Sequence, residues 1–134
     1  MNQTSQYVFL ASGIGVTPFR SIIKHHLEHK KKLNATLFYF SGLQEELLFR
    51  DIFKNAVTQI GMTFIPVLSG THDTTWTGLT GRFSEEMLKE YIVDLHKPTY
   101  YISGSETFIN TVREELLSLT ISEEQIKTDI FSGY

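Results

Sequence analysis

Tyr7-Val8-Phe9-Leu10-Ala11-Ser12-Gly13-Ile14-Gly15-Val16-Thr17-Pro18-Phe19 sets the architecture of this chain. Its first five residues form an apolar run rich in β-formers that stops at Ser12-Gly13, the pattern of a strand buried on both faces. Gly13 and Gly15 then let the chain turn sharply. Pro18 suits a first helical turn, where its missing N–H is not needed. Beyond it Phe19, Ile22, Ile23, His26 and Leu27 recur at helical spacing on one apolar face. The segment therefore reads as strand, glycine turn and helix.

The same unit repeats along the chain. Thr36-Leu37-Phe38-Tyr39-Phe40 is a second buried run closed by Ser41-Gly42. Phe49, Ile52, Phe53, Ala56, Val57 and Ile60 follow at helical spacing until Gly61, the residue type best suited to the left-handed position past a helix end. Met62-Thr63-Phe64-Ile65-Pro66-Val67-Leu68 reads as a third strand, and Pro66, which donates no ladder hydrogen bond, puts it at a sheet edge. Residues 69–82 are a loop rich in Gly and Thr, long enough to suggest a functional role. Ser84 is placed to cap a helix around Glu85–Tyr91. Tyr100-Tyr101-Ile102 is a fourth strand, and Ser105 caps a helix with Phe108, Ile109, Val112 and Leu116 inward. Ser122-Glu123-Glu124-Gln125 resembles a capping box ahead of a last strand at 126–131.

Repeated β-α units with strands buried on both faces call for a parallel sheet covered on each side by helices. The expectation is an α/β fold, a Rossmann-like open sheet of five parallel strands in order 3-2-1-4-5, in one domain over residues 1–134. In such a sheet the ligand crevice opens beyond the carboxyl ends of the strands where the order reverses, here between strands one and four. The segments that reach it are Ser12 to Pro18 and Ser103-Gly104-Ser105, both small enough for backbone amides to approach a ligand. A Gly-x-Gly turn entering a helix offers amides and the helix dipole to a pyrophosphate. A dehydrogenase of the usual dinucleotide-binding type would carry a third small residue and an acid ending strand two. Pro18 and Ser41-Gly42 stand there instead, which disfavours that reading.

Composition narrows the alternatives. Hydrophobic residues make up 41% and charged residues 20%, with a net charge of −3, values of a globular domain without a nucleic-acid footprint. The only basic cluster, Lys30-Lys31-Lys32, reads as a helix C-terminus facing its own dipole. The absence of cysteine excludes thiol catalysis, disulfides and cysteine-held metal within this chain. His25, His26 and His29 have no acid or cysteine spaced to complete a metal site, and an exposed helix face accounts for them. No apolar run approaches the roughly 18 to 20 residues needed to span a bilayer, and the polar first six residues lack signal-peptide character. These features lead us to expect a cytoplasmic protein, or the cytoplasmic-facing domain of a larger membrane reductase.

Four segments, in order and covering nearly the whole chain, carry a family resemblance. Residues 11–19 (ASGIGVTPF), 47–53 (LLFRDIF), 101–109 (YISGSETFI) and the ending 129–134 (DIFSGY) resemble the landmarks of the pyridine-nucleotide domain of the ferredoxin–NAD(P)H reductase family. The resemblance implies an NAD(P)H-dependent flavin oxidoreductase whose flavin-binding half, carrying FAD or FMN, lies outside this chain, upstream or on a separate protein. Gly13, Ile14, Gly15, Val16, Thr17 and Pro18 would then hold the pyrophosphate and nicotinamide side, with Ser103, Gly104 and Ser105 flanking it from strand four. The family often has a cysteine at the position of Ser103, so a role there would fall to a hydroxyl. An aromatic ring near the end, Phe131 or Tyr134, would face the flavin; Ser103 and Phe131 are thus the residues expected nearest the hydride transfer.

The same resemblance bears on coenzyme choice. Members using NADPH typically grip its phosphate with a Ser-Arg pair after strand three and a tyrosine further along. Here Ser69 is followed by Gly70, and residues 69–82 contain no tyrosine. Glu46 stands just before the Leu-Leu-x-Arg segment, where a carboxylate accepts from ribose hydroxyls and repels a phosphate, which favours NADH over NADPH. Arg82 is the residue able to reverse that preference. Ser41, Gly42, Glu46 and Ser69 complete the coenzyme-facing set. Two other readings remain: a nucleotide-binding or sensor module without redox activity, and a doubly wound methyltransferase, in which neither Pro18 nor Phe131 would have a role.

Overall fold

A computed structural model describes residues 5–70 and 75–130. The chain runs β1 (Tyr7–Ser12), α1 (Thr17–Glu28), β2 (Ala35–Ser41), α2 (Arg50–Ile60), β3 (Thr63–Leu68), β4 (Leu79–Thr80), α3 (Glu85–Tyr91), β5 (Thr99–Gly104), α4 (Glu106–Ser118) and β6 (Ile126–Ile130). Among the described residues the six strands are parallel, in the order β4-β3-β2-β1-β5-β6.

Among the described residues the sheet has six strands where the sequence predicts five. The extra strand, β4, is two residues long and pairs Leu79 and Thr80 with Val67 and Leu68, and Gly81 N–H donates to the Leu68 carbonyl at 2.9 Å. A two-residue strand is too short to produce any alternation, so its sequence carries no periodic signal; it exists because the end of β3 has backbone groups left to pair. β3 is consequently an edge only along its first part. Pro66 lies in that part, pairing inward with Tyr39 and having no partner on β4, so the proline rule holds where the proline sits. The remaining five strands keep the expected order.

Period-two alternation divides the core between the two faces. Tyr7, Phe9 and Ala11 of β1 and Ala35, Leu37 and Tyr39 of β2 pack against Phe19 and Ile23 of α1 and Phe53, Ala56 and Ile60 of α2. Val8, Leu10, Phe38 and Phe40 face the other way, onto Met87 and Leu88 of α3 and Ile109, Val112 and Leu116 of α4. All seven residues of β2 are buried. Each large apolar side chain among them contributes roughly 1.5–3 kcal/mol by leaving water.

Local signals placed the helix ends well. Ser84 and Ser105 accept from the backbone N–H of Met87 and Phe108, and Ser122 forms a capping box with Gln125. Gly61 ends α2 with φ 78°. Two inner-face expectations need correction. Phe49 does not begin α2 as a helical residue; it precedes it in a left-handed conformation, φ 59°, which apolar spacing cannot register. Val57 is exposed, because at the far flank of the apolar stripe nothing packs over it. Of the three histidines, His26 is buried with Nδ1 2.9 Å from the Ile22 carbonyl, whereas His25 and His29 are exposed with ring centroids 4.2 Å apart. No group of three or more metal-ligating side chains occurs among the described residues, and none of their helices is long and apolar enough to cross a membrane.

Candidate functional site

The chain leaves β1 outward to β2, β3 and β4, then returns to the other side of β1 as β5, so the strand order reverses between β1 and β5. At this point the two glycine-bearing turns meet. Gly13, at φ 56°, opens a 3-10 turn over Gly13–Val16 that runs directly into α1. Gly15 packs so closely on β5 that a β-carbon there would lie 2.4 Å from the Ser103 carbonyl oxygen and 2.7 Å from Gly104 Cα. Only glycine permits this backbone-to-backbone approach.

Between these turns and the ends of β2 and β3 lies a cleft of about 510 Å³. Ser12 and Gly13 form one side. Ser41, Gly42, Glu46, Ser69 and Arg82 form another, and Ser105, Thr107 and Thr111 at the start of α4 close the third. Phe40, Phe83 and Phe108 make an aromatic wall, with Phe40 centred 5.6 Å from Phe108 and 6.3 Å from Phe83. The amino end of α4 opens onto the cleft, and a helix start carries partial positive charge suited to an anion.

The expected site residues fall into three groups. Ser12, Gly13, Ser41, Gly42, Glu46, Ser69 and Ser105 share the cleft. Ile14 is exposed beside it, Gly15 and Val16 are buried in the turn, and Thr17 donates both its N–H and its hydroxyl to the Ile14 carbonyl, tightening the entry to α1 ahead of Pro18. Ser103 and Gly104 are buried behind the cleft at the end of β5. Ser103 is 1% exposed, and its hydroxyl oxygen has no hydrogen-bond partner among the described residues. Phe131 and Tyr134 lie outside the described residues.

Several hydroxyls in the cleft are already committed. Ser41 donates to the Leu43 carbonyl at 2.8 Å, Ser69 donates to the Ser41 carbonyl, and Ser105 caps α4. Gly70 N–H donates to the Gly42 carbonyl at 3.1 Å, and a β-carbon at Gly70 would fall 2.4 Å from that oxygen, so a second pair of glycines locks the β2 and β3 loops together. Trp76 anchors the long loop: its indole N–H donates to the Leu79 carbonyl at 3.0 Å and its ring lies against Gly78. The aromatic wall and the Thr107/Thr111 pair escaped the sequence reading. An i,i+4 threonine pair on the outer face of a capped helix is the only local signal that pointed to them.

One further feature shapes the cleft edge. The segment joining Ser41 to α2 is pinned at its end by buried Leu47, by the Leu48 N–H donating to the Tyr39 hydroxyl at 2.9 Å, and by Phe49. Left-handed φ on a bulky residue costs roughly 1–3 kcal/mol and persists only where surroundings enforce it. Here the guanidinium of Arg20 lies over the Phe49 ring, 4.9 Å from its centroid, a cation–π contact of about 0.5–2 kcal/mol. The displaced pKa values among the described residues lie away from the cleft. Burial, helped by the charge of Asp94, pushes the Tyr100 hydroxyl up, and it donates to the Leu95 carbonyl at 2.7 Å.

Known proteins share the sequence pattern and the fold of this chain. Residues 9–114 match the profile of the family described as oxidoreductase NAD-binding domain. A CDP-6-deoxy-L-threo-D-glycero-4-hexulose-3-dehydrase reductase of Yersinia pestis is 30% identical over 125 residues, 92% of this chain and 37% of that protein. A component of the Na(+)-translocating NADH-quinone reductase of Actinobacillus pleuropneumoniae is 24% identical over 96% of this chain and 33% of its own length. The chain thus spans about a third of the length of these relatives. Among solved structures, the flavohem-like FAD/NAD binding domain of nitric oxide dioxygenase from Vibrio cholerae superposes with a TM-score of 0.82 at 21% identity, over 98% of this chain and 53% of that one, which shows the shared fold.

Proposed function

The chain belongs to the family of oxidoreductase NAD-binding domains, and from that premise we propose that it holds NADH or NADPH at the carboxyl ends of its strands and orients the nicotinamide toward a flavin. The flavin, FAD or FMN, would be carried by a flavin-binding domain outside residues 1–134, joined upstream or associating as a separate protein. The observation that carries this reading is the contact between Gly15 and Ser103, which brings both glycine turns to the reversal point of the sheet.

When bound, the nicotinamide supplies a hydride for the flavin to accept. The contribution of the chain is orientation, worth a large part of the barrier when reacting groups are held in line. Gly13 and the turn that follows it are assigned to the diphosphate, helped by the dipoles at the starts of α1 and α4. Ser103 is assigned to the nicotinamide side, since a buried hydroxyl without a partner is stabilised by any polar ligand group that completes it. Phe131 is assigned to the flavin side. Glu46, exposed at the cleft edge, accepts from the ribose hydroxyls and repels a 2′-phosphate, and this favours NADH; Arg82 acts in the opposite direction. A cytoplasmic or cytoplasm-facing location belongs to the same reading.

Calorimetric titration of the chain with each reduced coenzyme tests the proposal. Heat from both, with NADH tighter, is expected, together with loss of flavin absorbance when the chain and a coenzyme are mixed with a flavin-binding domain. No heat at millimolar coenzyme overturns it. Binding without flavin reduction would favour a nucleotide sensor instead.

A further inference from the structure

We propose that Arg20, on a different element from the cleft, is a positioning residue that sets coenzyme preference by holding Glu46 in place. The inference rests on the coenzyme reading above and adds to it a residue that lines no part of the cleft.

Arg20 sits in the first turns of α1, just beyond the glycine turn. Its Nε is buried without a hydrogen-bond partner among the described residues, so the guanidinium is not held there by an acid, and no ion pair to it occurs among them. What it does meet is the ring of Phe49 at 4.9 Å. Phe49 is the residue whose backbone, at φ 59° and ψ 27°, turns the chain from the Glu46 segment into α2. Leaving this conformation would swing the ring out from under Arg20, so the stacking opposes relaxation of the turn.

Glu46 is three residues upstream and ends a short 3-10 turn, Gln44–Glu46. The same segment is fastened by Leu47 in the core and by the Leu48 N–H on the Tyr39 hydroxyl. Those two contacts anchor the middle of the segment and the Phe49 turn fixes its end at the entry to α2, so the stack is one of three fastenings on the stretch that carries Glu46. A carboxylate discriminates between a ribose hydroxyl and a phosphate only while it is held beside them, because an exposed, freely moving acid is screened and has alternative partners in water. The Arg20–Phe49 stack therefore acts on which coenzyme is preferred more than on how tightly either binds.

Two measurements on the full chain test this. In ligand-free protein, Arg20→Met, which keeps the apolar stem and removes the cation, should speed amide hydrogen exchange at residues 46–49 by about fivefold, the factor matching an ordinary cation–π contact. In coenzyme titrations the same variant should shrink the NADH-over-NADPH affinity ratio by a similar factor, about fivefold, and in a Glu46→Gln background Arg20→Met should shrink it no further. Arg20→Lys should recover part of the ratio. Phe49→Leu, which removes the ring and leaves Arg20, should reproduce the loss and serves if Arg20→Met does not fold. Unchanged exchange at 46–49, equal loss of affinity for both coenzymes, or additive effects of Arg20→Met and Glu46→Gln would each overturn the proposal. Absence of coenzyme binding by the unmodified chain would instead overturn the functional reading on which it rests.

Discussion

Gly15 and Ser103 touch backbone to backbone: a β-carbon on the glycine would sit 2.4 Å from the serine carbonyl oxygen and 2.6 Å from its carbonyl carbon. Neither atom belongs to a flexible side chain that could move aside. Gly15→Ala must therefore push the β1 turn away from β5, an overpacking that costs about 1–3 kcal/mol and here belongs at the upper end. The melting temperature should fall by about 10 °C, and coenzyme affinity should drop more than tenfold, as the turns part. A melting temperature within a few degrees of the unmodified chain would show that the contact yields easily.

The Ser103 hydroxyl predicts an opposite pattern. Since its oxygen is buried with no partner among the described residues, Ser103→Ala removes an unsatisfied group and should leave the free chain as stable as before, or more stable by about 1 kcal/mol. Flavin reduction in the presence of a flavin-binding domain should nonetheless slow. Lower stability of the alanine variant in urea melts would mean that the hydroxyl is satisfied in solution.

Ser105 has two duties that a pair of substitutions can separate. Its oxygen accepts from the Phe108 N–H at 3.2 Å, so Ser105→Ala should cost about 1 kcal/mol of stability. Ser105→Asp caps equally well but brings a negative charge to the cleft. Stability should be retained while NADH affinity falls, and equal NADH affinity in the aspartate variant would exclude an anion beside this helix start.

Tyr100 makes stability depend on alkaline pH. Its hydroxyl is held above the ordinary tyrosine value of 10.0, chiefly by burial, so the folded state resists deprotonation that the unfolded chain accepts. Stabilisation by the neutral group is complete below pH 10 and is lost as the pH climbs beyond it. Urea midpoints measured from pH 8 to 11 should decline above pH 10. Tyr100→Phe should flatten that decline, at a cost of about 1 kcal/mol at neutral pH for the hydrogen bond to Leu95.

The elements legible in the sequence were those whose cause is local. Ser84, Ser105 and Ser122 announced helix starts because a cap needs only its own next three residues, and the β1 and β2 runs announced burial because a strand covered on both faces must be apolar throughout. The cleft was legible as a place, since Ser12, Gly13, Ser41, Gly42, Glu46, Ser69 and Ser105 converge there. Its walls were less so. Phe40 and Phe108 come from elements far apart in the chain and meet only because β2 and α4 share a face of the sheet.

Residue order along the chain was enough to set the alternation of buried strands and amphipathic helices and the position of the two glycine-bearing turns, because each follows from residues within a few positions of one another. It took the folded arrangement to bring β4 to the edge beside Val67 and Leu68, to hold Phe49 in a left-handed backbone, and to lay Arg20 over its ring. These features depend on backbone groups and side chains from distant segments being brought to bonding distance. No periodicity along the chain encodes them.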